Sequence, residues 1–352
     1  MGATTASNVH FGGPDYNPGH LRDVLAERIA RVPSGGSIDW VTYYFRDRRL
    51  AFDLIEACKR GVDVRVTMDG HPRTSRANDR VIAILESGLG SGLRVVRHPL
   101  DRLTRAPIIR TRLHEKLYCF SHPKPVALVG SFNPSTDEPE QDPQILDEIG
   151  NHSFAYNMLI ELRDEMPVSR LIAHARWLHG EASHSIFSRF GPASNQSVAL
   201  DGTELYFWPR VTAHPVERRL RDLPSGSRVR MAASHIKGAR TARTLLELTR
   251  RRVSVEILTE ESERRVPRKL ESRLRAAGIR IQRVVHSEMT WTPMHNKFVL
   301  LESEGHRTAV FGSFNWNTQS RYLNRELGIL SDDPTIFDAL ANRWDMLQKH
   351  GV

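Results

Sequence analysis

Cysteine is nearly absent from this chain: Cys58 and Cys119 are the only two in 352 residues. They fall in a helical and a strand pattern, which argues against a disulfide framework or a zinc site. No apolar run approaches the roughly 18 residues of a transmembrane helix. The opening MGATTASNVHFGG has no basic n-region and no apolar core, so no secretory leader is expected. Ala6 stands where a myristoylation pattern needs Ser or Thr. No cluster of histidines and carboxylates at metal-ligand spacing stands out, so no metal or other cofactor is expected. A cytoplasmic location is expected, with peripheral attachment to the inner face of the membrane if the substrate is a lipid.

Charge is unbalanced: 50 Lys and Arg against 41 Asp and Glu give a formal net of +9. That excess suits an anionic partner, which leaves nucleic acid, an acidic membrane surface and a phosphorylated substrate open. With 39% hydrophobic and 26% charged residues, the chain reads as globular and long enough for two domains.

The chain is a duplication. "LHEKLYCFSHPKPVALVGSFNPS" places His114 and Lys116 on one strand and Gly130, Ser131 and Asn133 at the end of the next. "MHNKFVLLESEGHRTAVFGSFNWN" does the same with His295, Lys297, Gly312, Ser313 and Asn315. The histidines are 181 residues apart, and the serines and asparagines 182. Period-2 alternation puts each His and Lys on one strand face, and a hairpin brings Ser and Asn beside them. Upstream of each motif, helices alternate with short apolar strands and Pro-Ser-Gly or Gly turns. "MLIELRDEMPVSRLIAHARWLH" and "ELGILSDDPTIFDALANRWDML" close the two halves with a strand and a helix. The expected architecture is α/β, with two mixed or largely parallel sheets flanked by helices and related by a pseudo-two-fold. Domains are expected at 1–180 and 196–352, separated by a polar, Gly/Ser-rich stretch near 180–202.

Two sets of His, Lys, Ser and Asn suit one tetrahedral anion. Lysine supplies charge, and Ser and Asn supply neutral hydrogen bonds. If the halves face each other, one His attacks phosphorus and the other protonates the leaving oxygen, with two lysines neutralising the phosphoryl group.

H-x-K followed by G-S-x-N, twice in one chain, resembles the phospholipase D superfamily, and the resemblance covers nearly the whole sequence. It implies paired α/β domains with the active site at their interface, a phosphohistidine intermediate and transfer of a phosphodiester. His114, Lys116, Asn133, His295, Lys297 and Asn315 are then the catalytic set, with Ser131 and Ser313 binding substrate. Ser121 and Glu302 stand where the family usually has Asp, a position regarded as structural. The run "SRYLNRELGIL" resembles cardiolipin-synthase-like members, and Glu326 in it matches an acid that orients a catalytic His. His295 is expected to be its partner. Aligning "IEL" with "GIL" puts Met158 opposite Glu326, so the first half is expected to lack that acid. On this basis His114 is expected to be the nucleophile and His295 the general acid.

The leading reading is a phosphodiesterase or phosphatidyltransferase acting on phospholipid, complete in a monomer. A metal-independent nuclease and a non-catalytic phosphate-binding protein are the alternatives. His71, His98, His152, His235, Trp291 and Trp316 sit where they can border a cleft. Arg97, Arg102, Arg105, Arg110 and Arg112 form a basic approach to the first motif.

Overall fold

The computed structural model describes residues 9–351, apart from 75, 98–110, 136–140, 151, 153, 181–183, 185–195, 211–213 and 286–291. His98, Trp291, Arg102, Arg105, Arg110 and most of the linker therefore lie outside the described residues.

The first sheet holds β1 (Val9–Phe11), β2 (Ser37–Thr42), β3 (Asp63–Asp69), β4 (Leu93–Val96), β5 (Leu117–Phe120), β6 (Val126–Gly130) and β7 (Met158–Leu162). Their order is β1-β7-β6-β5-β2-β3-β4. The second holds β8 (Val198–Leu200), β9 (Thr203–Trp208), β10 (Arg228–Ala233), β11 (Ser254–Glu260), β12 (Arg280–Val284), β13 (Lys297–Ser303), β14 (His306–Gly312) and β15 (Glu326–Ser331). Its order, β12-β11-β10-β13-β14-β15-β9-β8, reproduces the first with one added edge strand. The duplication seen in sequence is thus a duplication of topology.

Each sheet is mixed rather than largely parallel. The β2-β3-β4 and β10-β11-β12 sides are parallel. The motif hairpins β5-β6 and β13-β14 and the strands beyond them run antiparallel. The reason is local. A helix returns the chain between the early strands, whereas the tight turns at 121–125 and 304–305 reverse it.

The helices are α1 (His20–Arg31), α2 (Arg48–Lys59), α3 (Asp79–Leu89), α4 (Pro143–Ile149), α5 (Glu165–His179), α6 (Pro215–Asp222), α7 (Ala239–Arg250), α8 (Arg268–Ala276), α9 (Thr318–Tyr322) and α10 (Pro334–Lys349). Residues of α1–α3 pack on one face of the first sheet and residues of α6–α8 on one face of the second. The other faces meet in one core that also contains α5 and α10. Strand periodicity assigns the faces: Leu117 and Cys119 point into the shared core, while Tyr118 and Phe120 point to the outer one. In β13, Phe298 and Leu300 face inward and Val299 and Leu301 outward. The halves are fused by packing, and Arg343 of α10 also donates to the Gly12 carbonyl at 2.7 Å. Among the described residues no helix is long and apolar enough to cross a membrane.

Candidate active site

The two histidines stand just before the hairpin strands, and each is held by the other half of the chain. Leu113 bridges Arg325, and Met294 bridges Tyr156, both in parallel sense. The His114 N–H donates to the Arg325 carbonyl at 2.9 Å, and the His295 N–H to the Tyr156 carbonyl at 3.0 Å. The residue after each crossed carbonyl, Glu326 or Asn157, therefore arrives beside the opposite histidine.

His114 Nδ1 lies 2.8 Å from Glu326 Oε2. His295 Nδ1 lies 2.9 Å from Asn157 Oδ1. This corrects the expectation that Glu326 orients His295. The error is one residue of register. Ser131 N–H donates to the Met158 carbonyl and Ser313 N–H to the Leu327 carbonyl, so Met158 corresponds to Leu327 and Asn157 to Glu326. A one-residue slip in a strand moves every side chain to the wrong face. Glu161 receives Arg28 and Arg163.

Ser131 and Ser313 do not line the cleft. Both are fully buried. Ser131 Oγ donates to Asn157 Oδ1 at 3.1 Å and accepts from the Met158 N–H at 3.1 Å. Ser313 Oγ donates to Glu326 Oε2 at 2.6 Å and accepts from the Leu327 N–H at 3.1 Å. Their hydroxyls hold the groups that orient the histidines, which replaces the expected substrate contact. Gly130 and Gly312 permit this approach: a Cβ at either would collide with the carbonyl of Met158 or Leu327.

Lys116 and Lys297 fold back alike, donating to the carbonyls of their own His114 at 2.7 Å and His295 at 3.1 Å. Tyr43 packs on both His114 and Lys116, with centroid distances of 4.9 Å and 5.3 Å. Asn133 Oδ1 accepts from the Tyr44 N–H at 3.3 Å. Asn315 keeps a buried side-chain oxygen without a hydrogen-bond partner. His114, His295, Asn133 and Asn315 line one cleft of about 640 Å³.

Electrostatically the site is short of anions. Burial pulls Lys116 down to about 7, against the help of Glu326, Glu115 and Asp69. Lys297 is driven well below its usual value by burial and then by Lys116 and Arg265. Burial also lowers His295 strongly, followed by Lys297, His152, Lys116 and Arg265. His114 is lowered by burial too, but Glu326 opposes the shift. Burial alone would raise Glu326; His114, Lys116 and Ser313 outweigh it and hold the carboxyl below its usual range. A phosphate anion bound here would oppose the loss of charge on these cations.

His152 and His235 line the same cleft, and His152 packs edge-on against His295 with centroids 4.7 Å apart. His71 is exposed and not at the cleft. Trp316 is core, against Phe314 and His214. Arg112 reaches the cleft, and Arg97 is exposed. Among the described residues no group of three or more His, Cys, Asp or Glu is placed to hold a metal.

Comparison with known proteins gives the family and the fold. A mitochondrial cardiolipin hydrolase of Xenopus laevis is 30% identical over 106 residues, which is 30% of this chain and 47% of that protein. The match thus spans about half the length of that relative. The crystal structure of phosphatidylserine synthase from Haemophilus influenzae Rd KW20 superposes with a TM-score of 0.64 at 13% identity, covering 98% of this chain and 87% of the other. Polyphosphate kinase from Porphyromonas gingivalis gives 0.62 at 13% identity over 97% of this chain and 50% of that one. At such identities the likeness is one of fold. The family described as "Cardiolipin synthase, PLD-like domain" matches residues 30–158 and 223–347, once in each half. The chain belongs to the cardiolipin synthase, PLD-like domain family.

Proposed function

We propose that this chain is a phospholipid phosphodiester hydrolase or phosphatidyltransferase working through a phosphohistidine. The observation that carries the reading is the convergence of both histidines on one cleft, each oriented through Nδ1 by the opposite half. With Nδ1–H donated to Glu326, His114 presents the Nε2 lone pair. That nitrogen attacks phosphorus, a P–N bond forms and the P–O bond to the head-group alcohol breaks. His295, protonated at Nε2, gives its proton to the departing oxygen. In the second half-reaction His295 takes a proton from water or an acceptor alcohol, whose oxygen attacks phosphorus and releases His114. Lys116, Lys297, Asn133 and Asn315 stabilise the charge on the phosphoryl oxygens.

The carboxylate on His114 supports its role as nucleophile, because a neighbouring negative charge stabilises a phosphorylated, positively charged imidazole ring. Asn157 carries no charge, so His295 depends on the bound phosphate to hold its proton. The family membership and the basic balance support a lipid substrate met at the membrane surface, and both half-sites in one chain support action as a monomer. The test is incubation with phosphatidylglycerol, phosphatidylethanolamine, cardiolipin and single-stranded DNA, followed by product analysis with and without added glycerol. Release or exchange of a lipid head group supports the reading. Cleavage of DNA with no lipid turnover contradicts it.

A further inference from the structure

The cleft holds more positive charge than one diester uses. Besides the catalytic groups its lining includes Arg73, Arg112, Lys237, Arg264 and Arg265, and no described lining residue is Asp or Glu. Arg265 is buried and fixed, donating to Ser234 Oγ at 3.1 Å and pairing with Glu260 at 3.5 Å. Arg73 and Arg264 are exposed and Lys237 is half-buried. Arg73 comes from the first half, with its backbone N–H donated to Tyr43 Oη at 2.6 Å. Lys237 precedes α7, with its N–H on the Trp316 carbonyl at 2.8 Å. Arg264 spans the halves by donating to the Asp147 carbonyl at 3.4 Å.

These cations act on one another. Burial and then Arg73, Arg264 and Arg265 lower Lys237. Lys237 makes no side-chain hydrogen bond or ion pair among the described residues. His235 lines the same cleft, and burial, then Arg265, Lys297, Lys237 and His114, lower it well below its usual value. Positive groups gathered from both halves at one cleft attract an anion into it. The proposed reaction already assigns Lys116 and Lys297 to the scissile phosphate.

We propose that Arg73, Lys237 and Arg264 form a second anion subsite that takes a phosphomonoester on the head-group alcohol. A phosphomonoester carries close to two negative charges at neutral pH and three acceptor oxygens, which suits two guanidinium groups and one ammonium. By microscopic reversibility the leaving alcohol and the acceptor alcohol use the same place, so the phosphorylated alcohol enters either as the donor lipid's head group or as a free acceptor. The inference rests on the lipid diester reading above. The tyrosines among the described lining residues, Tyr43 and Tyr44, are both buried. They offer no open stacking platform of the kind that single-stranded nucleic acid uses.

The experiment compares kcat/KM for phosphatidylglycerol phosphate and phosphatidylglycerol in mixed micelles, for the wild type, K237A and R264A. A separate arm supplies free glycerol 3-phosphate or glycerol as acceptor. Circular dichroism checks folding. The wild type should favour the phosphorylated head group, or the phosphorylated acceptor, by about tenfold or more, and each variant should bring that ratio towards one. A preference only in the first arm assigns the subsite to the donor, and only in the second to the acceptor. A wild-type ratio near one with both lipids turned over overturns the subsite and leaves the lipid reading standing. Turnover of DNA alone overturns both. If no diester is turned over, calorimetry with glycerol 3-phosphate decides: binding weakened about tenfold in R264A supports the subsite, and equal binding overturns it.

Discussion

Glu326 belongs to the second half of the chain and holds His114 of the first, Oε2 to Nδ1 at 2.8 Å, while Asn157 of the first half holds His295 of the second at 2.9 Å. The crossing makes the halves interdependent, since neither histidine is oriented by its own sheet. It also makes the site chemically asymmetric, because one orienting group is charged and the other is not.

The first prediction concerns that charge. Glu326→Gln preserves shape and the Ser313 contact but removes the carboxylate. A drop in kcat of about 100-fold or more is expected, within the range attributed to positioned acid–base groups. Asn157→Ala should cost less, since it removes a neutral acceptor. Steady-state kinetics on both variants, with equal losses or a larger loss in Asn157→Ala, would contradict the assigned asymmetry.

Asn157→Asp should shift the pH profile. In the free protein burial, Lys297, His152, Lys116 and Arg265 push His295 well below its usual value. A carboxylate at 157 stabilises the protonated ring and raises that value. A general acid must be protonated, so activity falls as pH rises through its pKa. The falling limb of kcat/KM should move to higher pH in the variant; an unmoved limb argues against His295 as the acid.

Anion binding should take up protons. Lys116 sits at about 7 in the free site. At pH 8 much of it is neutral, and a bound tungstate or vanadate raises its pKa and recharges it. Calorimetry in buffers of different ionisation enthalpy should show net uptake, and affinity should weaken as pH rises through about 7. Binding with no buffer dependence at pH 8 would contradict this.

Gly312→Ala should destabilise the fold. Its φ of +149° is one that L side chains rarely adopt, and a Cβ meets the Leu327 carbonyl next to Glu326. A loss of about 2 kcal/mol or more is expected from strain and overpacking, read as a lower denaturation midpoint. An unchanged midpoint would show that the strand pair can separate freely.

Much of this was legible in the sequence because it is local. The H-x-K and G-S-x-N spacings are set by strand periodicity and hairpin reversal, and they locate His114, Lys116, Asn133 and their second-half counterparts. What escaped depends on long-range pairing. Nothing near Glu326 tells which histidine it meets; the bridge between Leu113 and Arg325 decides that. Hydrophobic alignment of β7 with β15 tolerates a slip of one residue, and that slip hid Asn157. Ser131 and Ser313 look like surface hydroxyls in a G-S-x-N turn, yet their burial follows from strands contributed much later in each half. The gathering of Arg73, Lys237 and Arg264 joins residues up to 191 positions apart and has no local signature.

The central claim is a covalent intermediate on His114. Rapid quenching with a phosphodiester bearing a good leaving group, under conditions that preserve phosphohistidine, followed by peptide mapping, tests it directly. The account predicts a phosphorylated peptide containing His114 in the wild type, accumulating further in His295→Ala, whose second step lacks its base. A label on the peptide containing His295, or turnover by His114→Ala within about tenfold of the wild type, would contradict it.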